Sequence, residues 1–74
     1  MPKLKPVKTI ELIKVLTKLG FEIVRRKGSH VSLKRGNTVI TVPYHTKPLG
    51  IGLIRRIIKD ANITKDEFIR LLKD

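Results

Sequence analysis

At 74 residues, the chain forms one small domain with a thin core, which excludes a large substrate cavity, and the absence of cysteine excludes disulfides and thiolate metal sites. Seventeen Lys and Arg against six Asp and Glu leave a formal charge of +11, which invites a polyanion: RNA, DNA, an anionic membrane surface or an acidic protein. A surface made cationic only for solubility or heat tolerance would carry acids to match, so nucleic acid is the favoured class.

The hydrophobic fraction of 41% is spread along the chain, and with only Phe21, Tyr44 and Phe68 as aromatics the core must be built from ten Ile and nine Leu. Residues 1–8 read as a polar, proline-containing lead-in, and the folded part runs over 9–72. Thr9 is the expected N-cap of a helix over residues 10–19, with Glu11 in the first turn, where the helix dipole favours an acid. Ile10, Ile13 and Leu16, with Leu12 and Leu19, repeat at helical spacing. Gly20 falls where a left-handed C-cap is expected. A strand follows over 21–26, Phe21 and Ile23 on one face and Glu22 and Val24 on the other, and Lys27-Gly28-Ser29 is a turn.

His30 to Lys34 alternates cleanly, Val31 and Leu33 one way and His30, Ser32 and Lys34 the other. Arg35-Gly36-Asn37 is a tight hairpin connection, with Gly36 and Asn37 suited to positive φ. Thr38 to Val42 is a β-branched strand that Pro43 ends. Residues 44–52 read as a loop. Leu53, Ile54, Ile57, Ile58 and Ala61 then mark the apolar face of a second helix, Asn62 takes its C-cap, and Thr64 to Glu67 is a capping box opening a short last helix. The sum is one α+β domain over residues 1–74. A three-stranded antiparallel meander has helices on one face, and its other face is open to solvent. Double-stranded-RNA-binding domains share this α-β-β-β-α order.

The chemistry available is narrow. His30 and His45 are the only side chains of a type that both takes and gives a proton near neutral pH. By alternation His30 stands on the solvent face with Ser32 and Lys34, close to Arg25, Arg26 and Lys27. Such a surface suits RNA cleavage: the cations hold phosphate while imidazole takes the 2′-hydroxyl proton or protonates the leaving oxygen. On its own, an exposed strand histidine is more often a plain solvated residue, and His45 could contact RNA, assist His30 or cap the following backbone. Two histidines make a poor zinc site and the carboxylates have no metal-binding spacing, so neither metal nor cofactor is expected. Gly50-Ile51-Gly52 lacks the Gly-Lys-Ser/Thr of a phosphate-binding loop. Arg55, Arg56 and Lys59 form either a solvated helix face or a contact for phosphate or an acidic partner. No apolar run approaches the roughly 18–20 residues of a membrane span, and Met1 to Pro6 lacks the apolar region of a signal peptide, so the expected location is the cytoplasm.

A family resemblance sharpens this. Gly20-Phe21 followed by Arg25-Arg26-Lys27-Gly28-Ser29-His30, then Val42-Pro43-Tyr44-His45, Leu53 to Lys59, Ile63-Thr64 and Glu67-Phe68 resemble the HicA toxins of HicA–HicB toxin–antitoxin systems over residues 9–72. The resemblance implies a double-stranded-RNA-binding-like fold, an mRNA-cleaving endoribonuclease active as a toxin, and neutralisation by an acidic HicB-type antitoxin. The histidine of Gly-Ser-His, His30, would be catalytic, and Arg25, Arg26, Lys27, Gly28, Ser29, Lys34 and His45 are the expected RNA contacts. Three departures stand out: Leu33 where an aromatic is common, Asn62 where glycine is usual before Ile-Thr, and the wording of the 47–52 loop. The alternative is a non-catalytic RNA-binding module of the same fold; a third reading is an interaction protein whose basic face serves only an acidic partner.

Overall fold

The structure, a computed structural model, describes residues 4–73. Its elements are α1 (Thr9–Lys18), β1 (Glu22–Lys27), β2 (His30–Arg35), β3 (Thr38–Pro43), α2 (Ile51–Asp60) and α3 (Lys65–Lys73). The strands form one antiparallel sheet in the order β1-β2-β3. This is the α+β arrangement expected, with a double-stranded-RNA-binding-like order of elements. Among the described residues, no helix is long and apolar enough to cross a membrane.

The core lies between the helices and one face of the sheet. Val31 pairs across from Val42 and Leu33 from Ile40, and all four are buried. Leu12, Val15 and Leu16 of α1, Ile54, Ile57 and Ile58 of α2 and Phe68 of α3 close over them. The buried stripe of α1 therefore runs through Thr9, Leu12, Val15 and Leu16, and Ile10, expected on the apolar face, stands 53% exposed. The lead-in is not wholly outside the core either: Leu4 and Val7 are buried, and Val7 bridges to Leu49. Residues 1–3 of that lead-in lie outside the described residues.

Thr9 is not the N-cap. Lys8 holds that position without a side-chain cap, and Thr9 begins the helix, 1% exposed. Its Oγ1 donates to the Pro43 carbonyl at 2.8 Å and accepts from the His45 amide at 3.4 Å. A hydroxyl that the helix end could have used instead satisfies the half-buried end of β3.

The C-terminal ends of α1 and α2 and the start of α3 match the sequence reading, whereas α2 begins at Ile51, inside the expected 44–52 loop, with Gly50 as its N-cap. Gly20, at φ +96°, ends α1, with the Gly20 amide donating to Thr17 and the Phe21 amide to Leu16. Asn62, at φ +59°, ends α2 through the same pair of bonds, from Asn62 to Lys59 and from Ile63 to Ile58. Both are complete Schellman motifs, and asparagine is the usual substitute for glycine there. Thr64 and Glu67 form the capping box, the Glu67 amide donating to Thr64 Oγ1 at 3.1 Å and the Thr64 amide to Glu67 Oε1 at 3.4 Å. The turns are Gly28-Ser29 and Gly36-Asn37, with positive φ at each glycine and at neither following residue. That is the type II′ pattern, so the positive φ expected of Asn37 is not needed.

Arg35 ties these parts together. Its Nη1 donates to the Leu19 carbonyl at 2.8 Å, its Nη2 to the Ala61 carbonyl at 3.2 Å, and its guanidinium lies 4.6 Å over the Phe21 ring. One cation thus serves the C-terminal ends of α1 and α2, where the helix dipoles favour positive charge. Arg35→Met is expected to lower unfolding free energy by about 1–2 kcal/mol, since two charge-assisted bonds and a ring contact are lost at a partly solvated site. Urea denaturation checks this; an unchanged midpoint would show the bonds to be incidental.

Candidate functional site: the outer face of the sheet

Among the described residues, nothing covers the face of the sheet away from the helices. Register sets its contents. In β2 the outward side chains are His30, Ser32 and Lys34, and β3 places Pro43, Thr41 and Val39 opposite them. On β1 the pairing begins with Glu22 across from Lys34 and Ile23 across from Leu33, then slips by one residue, so that Arg25 meets Ser32, Arg26 meets Val31 and Lys27 meets His30. Val24 is the extra residue of a β-bulge.

The bulge decides which cations stand beside His30. Unbroken alternation from Phe21 would send Arg25 to the helix side and Arg26 outward. The slip reverses the two: Arg25 and Lys27 share the outer face with His30, and Arg26 turns to the helix side opposite the buried Val31. There its guanidinium lies 4.7 Å over the Tyr44 ring. The Tyr44 amide in turn donates to the Ser29 carbonyl, extending the β2–β3 ladder past Pro43.

An open depression of about 550 Å³ lies at the turn end of this face, lined by Arg25, Lys27, Gly28, Ser29, His30 and Ser32. Five of these were expected site residues, brought together from two strands and the turn between them. Gly28, at φ +57°, lets the two-residue turn close tightly, so that Lys27 and His30 face each other as a cross-strand pair. His30 is exposed, and no ion pair among the described residues engages Arg25 or Lys27. Three expected residues stand apart. Lys34 shares the face but lies further along β2, opposite Glu22 and Val39. Arg26 is on the other face. His45 lines a separate hollow with Lys8, Ile10, Tyr44 and Thr46. Ser32 lines the depression and was readable by alternation; its bond to Thr41 Oγ1, at 3.1 Å, needed the β2–β3 register.

The hollow gathers Arg25, Lys27 and His30 on one open surface, where two cations and an imidazole can meet an anion together. This small basic α+β domain thus sets one exposed histidine in a cationic hollow, an arrangement of the kind that attracts anions. The profile of the HicA toxin of bacterial toxin–antitoxin systems matches residues 10–63. The chain belongs to the HicA toxin family, and is thus a toxin paired with an antitoxin. Comparison with curated proteins finds no match.

Proposed function

We propose that this toxin is an endoribonuclease that cleaves mRNA with His30 as its acid–base residue. The observation that supports this most directly is the company His30 keeps: it is solvent-exposed in one hollow with Arg25 and Lys27, whose charges no acid among the described residues neutralises. Arg25 and Lys27 hold the phosphate flanking the scissile bond, the Ser29 hydroxyl and the Gly28-Ser29 backbone approach its oxygens, and Lys34 takes a phosphate further along. His30 removes the proton of the ribose 2′-hydroxyl. The 2′-oxygen forms its bond to phosphorus, the bond from phosphorus to the 5′-oxygen breaks, and the departing oxygen takes a proton back from the imidazolium or from water. The products are a 2′,3′-cyclic phosphate and a 5′-hydroxyl end. The two cations offset the charge that gathers on the phosphoryl oxygens in the transition state. Arg26 acts indirectly, by holding Tyr44 and the end of β3, and His45 contributes at most an outlying RNA contact.

The working location is the cytoplasm, where mRNA is, and the partner is an acidic HicB-type antitoxin that covers the outer sheet face, since a +11 protein selects a negative complement. The test is a gel of labelled mRNA with purified toxin, with and without EDTA and with and without the antitoxin, alongside binding measured across salt. Cleavage that persists in EDTA and stops with antitoxin is expected. Six phosphate contacts would give a slope of log affinity against log salt near −4 to −5, about −0.7 per contact on a single strand. A slope near zero removes the nucleic-acid reading, and binding without any cleavage leaves a non-catalytic RNA-binding module.

A further inference from the structure

The cations of α2 have no part in the chemistry above. Arg55, Arg56 and Lys59 are exposed, and no ion pair among the described residues engages them. One of them borders the sheet. A groove runs along the free edge of β3, with Val39 and Thr41 on one lip, Arg56 and Asp60 of α2 on the other, and Ile40 and Ile57 at its floor. Val39 and Thr41 belong to the outer face, paired with Lys34 and Ser32. Ser32 also lines the His30 depression. Its Oγ and Thr41 Oγ1 lie 3.1 Å apart in a hydrogen bond. The two hollows are therefore linked by a pair of hydroxyls, one lining each, on strands about 4.8 Å apart.

We infer that the β3–α2 groove is a second phosphate subsite, in which Arg56 holds a backbone phosphate of the same RNA strand that lies across His30. The path runs over the sheet at an angle to the strands: Arg25 and Lys27 on β1, His30 and Ser32 on β2, Thr41 on β3, then Arg56. Each stage suits a nucleotide chain. Guanidinium binds phosphate bidentately, and hydroxyls that both donate and accept can meet a ribose hydroxyl between two phosphates. Asp60, four residues after Arg56 on the same lip but in no ion pair with it, opposes the anion and weakens the subsite. The direction of the strand rests on the ribonuclease reading; the existence of the subsite rests on the groove.

The experiment uses the full chain carrying His30→Ala, so that RNA is not consumed, and measures anisotropy of labelled single-stranded RNA against salt. Two lengths are compared: a trinucleotide, which cannot span both hollows, and an oligomer of about eight nucleotides, within the roughly 4–16-nucleotide footprint of small single-strand-binding folds. Adding Arg56→Gln should weaken the longer RNA about fivefold at 0.1 M salt and reduce its salt slope by about 0.7, with the trinucleotide unchanged. Asp60→Asn should tighten the longer RNA. Lys14→Gln removes the same charge from an exposed site on α1, away from the path, and should move the slope less. Circular dichroism melts confirm that each variant is folded. If Arg56→Gln acts no more strongly than Lys14→Gln, or weakens both lengths alike, the subsite does not exist. RNA that does not bind at all overturns both readings, whereas wild type that binds but never cuts overturns only the ribonuclease, and the slope still decides the groove.

Discussion

Replacing His30 with alanine is expected to slow RNA cleavage by about 10²–10⁴-fold, the usual worth of a positioned acid–base residue, with little effect on stability or RNA affinity. The side chain stands on the open face of β2, so its removal leaves no core cavity, and exposed substitutions usually move stability by no more than about 0.5 kcal/mol. Affinity is spread over many cations, so a single imidazole contributes little to it. No second histidine lines the depression to take over, because His45 lies in a different hollow. His45→Ala should therefore cost much less, and a comparable loss would mean that the two histidines act as a pair across the end of β3. Cleavage at the wild-type rate by His30→Ala, in preparations free of contaminating nuclease, would remove His30 from the chemistry.

The parts of this site that sequence makes legible are those fixed by local rules. The alternation of His30, Val31, Ser32, Leu33 and Lys34 assigns faces correctly because one face is buried, which holds register firmly. Gly20, Gly28 and Asn62 stand where positive φ is needed, and the Thr64–Glu67 box opens α3. What escapes is set by contacts between segments distant in sequence. The bulge at Val24 has no local signature, yet it exchanges the faces of Arg25 and Arg26. A basic run read as one cluster is thus two groups with different work, one beside His30 and one stacked on Tyr44. Thr9 is misread for a related reason: cap preference is local, and the competing acceptor, the Pro43 carbonyl, comes from 34 residues away. The β3–α2 groove likewise depends on how α2 docks along the sheet edge, and no spacing within 51–60 reveals it.

A second large effect is expected from Phe68→Ala, outside the stretch of residues 10–63 that the family profile matches. Phe68 is 1% exposed and packs in the same core as Leu12, Leu16 and Ile54. Its truncation should cost about 3–5 kcal/mol, the transfer of a large ring plus the cavity it leaves. A domain of 74 residues has roughly 4–11 kcal/mol in all, so the variant should sit near or below the threshold of folding at 37 °C. The loss would spread, because α3 does more than bury one ring: Leu71 and Leu72 pack against the core, and the Leu71 carbonyl accepts from Lys18 Nζ of α1 at 2.9 Å. The helix that α3 steadies is the one whose Thr9 holds the end of β3, opposite His30. RNA cleavage should therefore fall together with the folded fraction, and cooling should restore both. Arg70→Ala, on the exposed side of α3, is the control and should stay within about 0.5 kcal/mol of wild type. Urea denaturation followed by circular dichroism gives the comparison. A Phe68→Ala protein that melts like wild type would mean that α3 is an appendage and that the cooperative unit ends with α2.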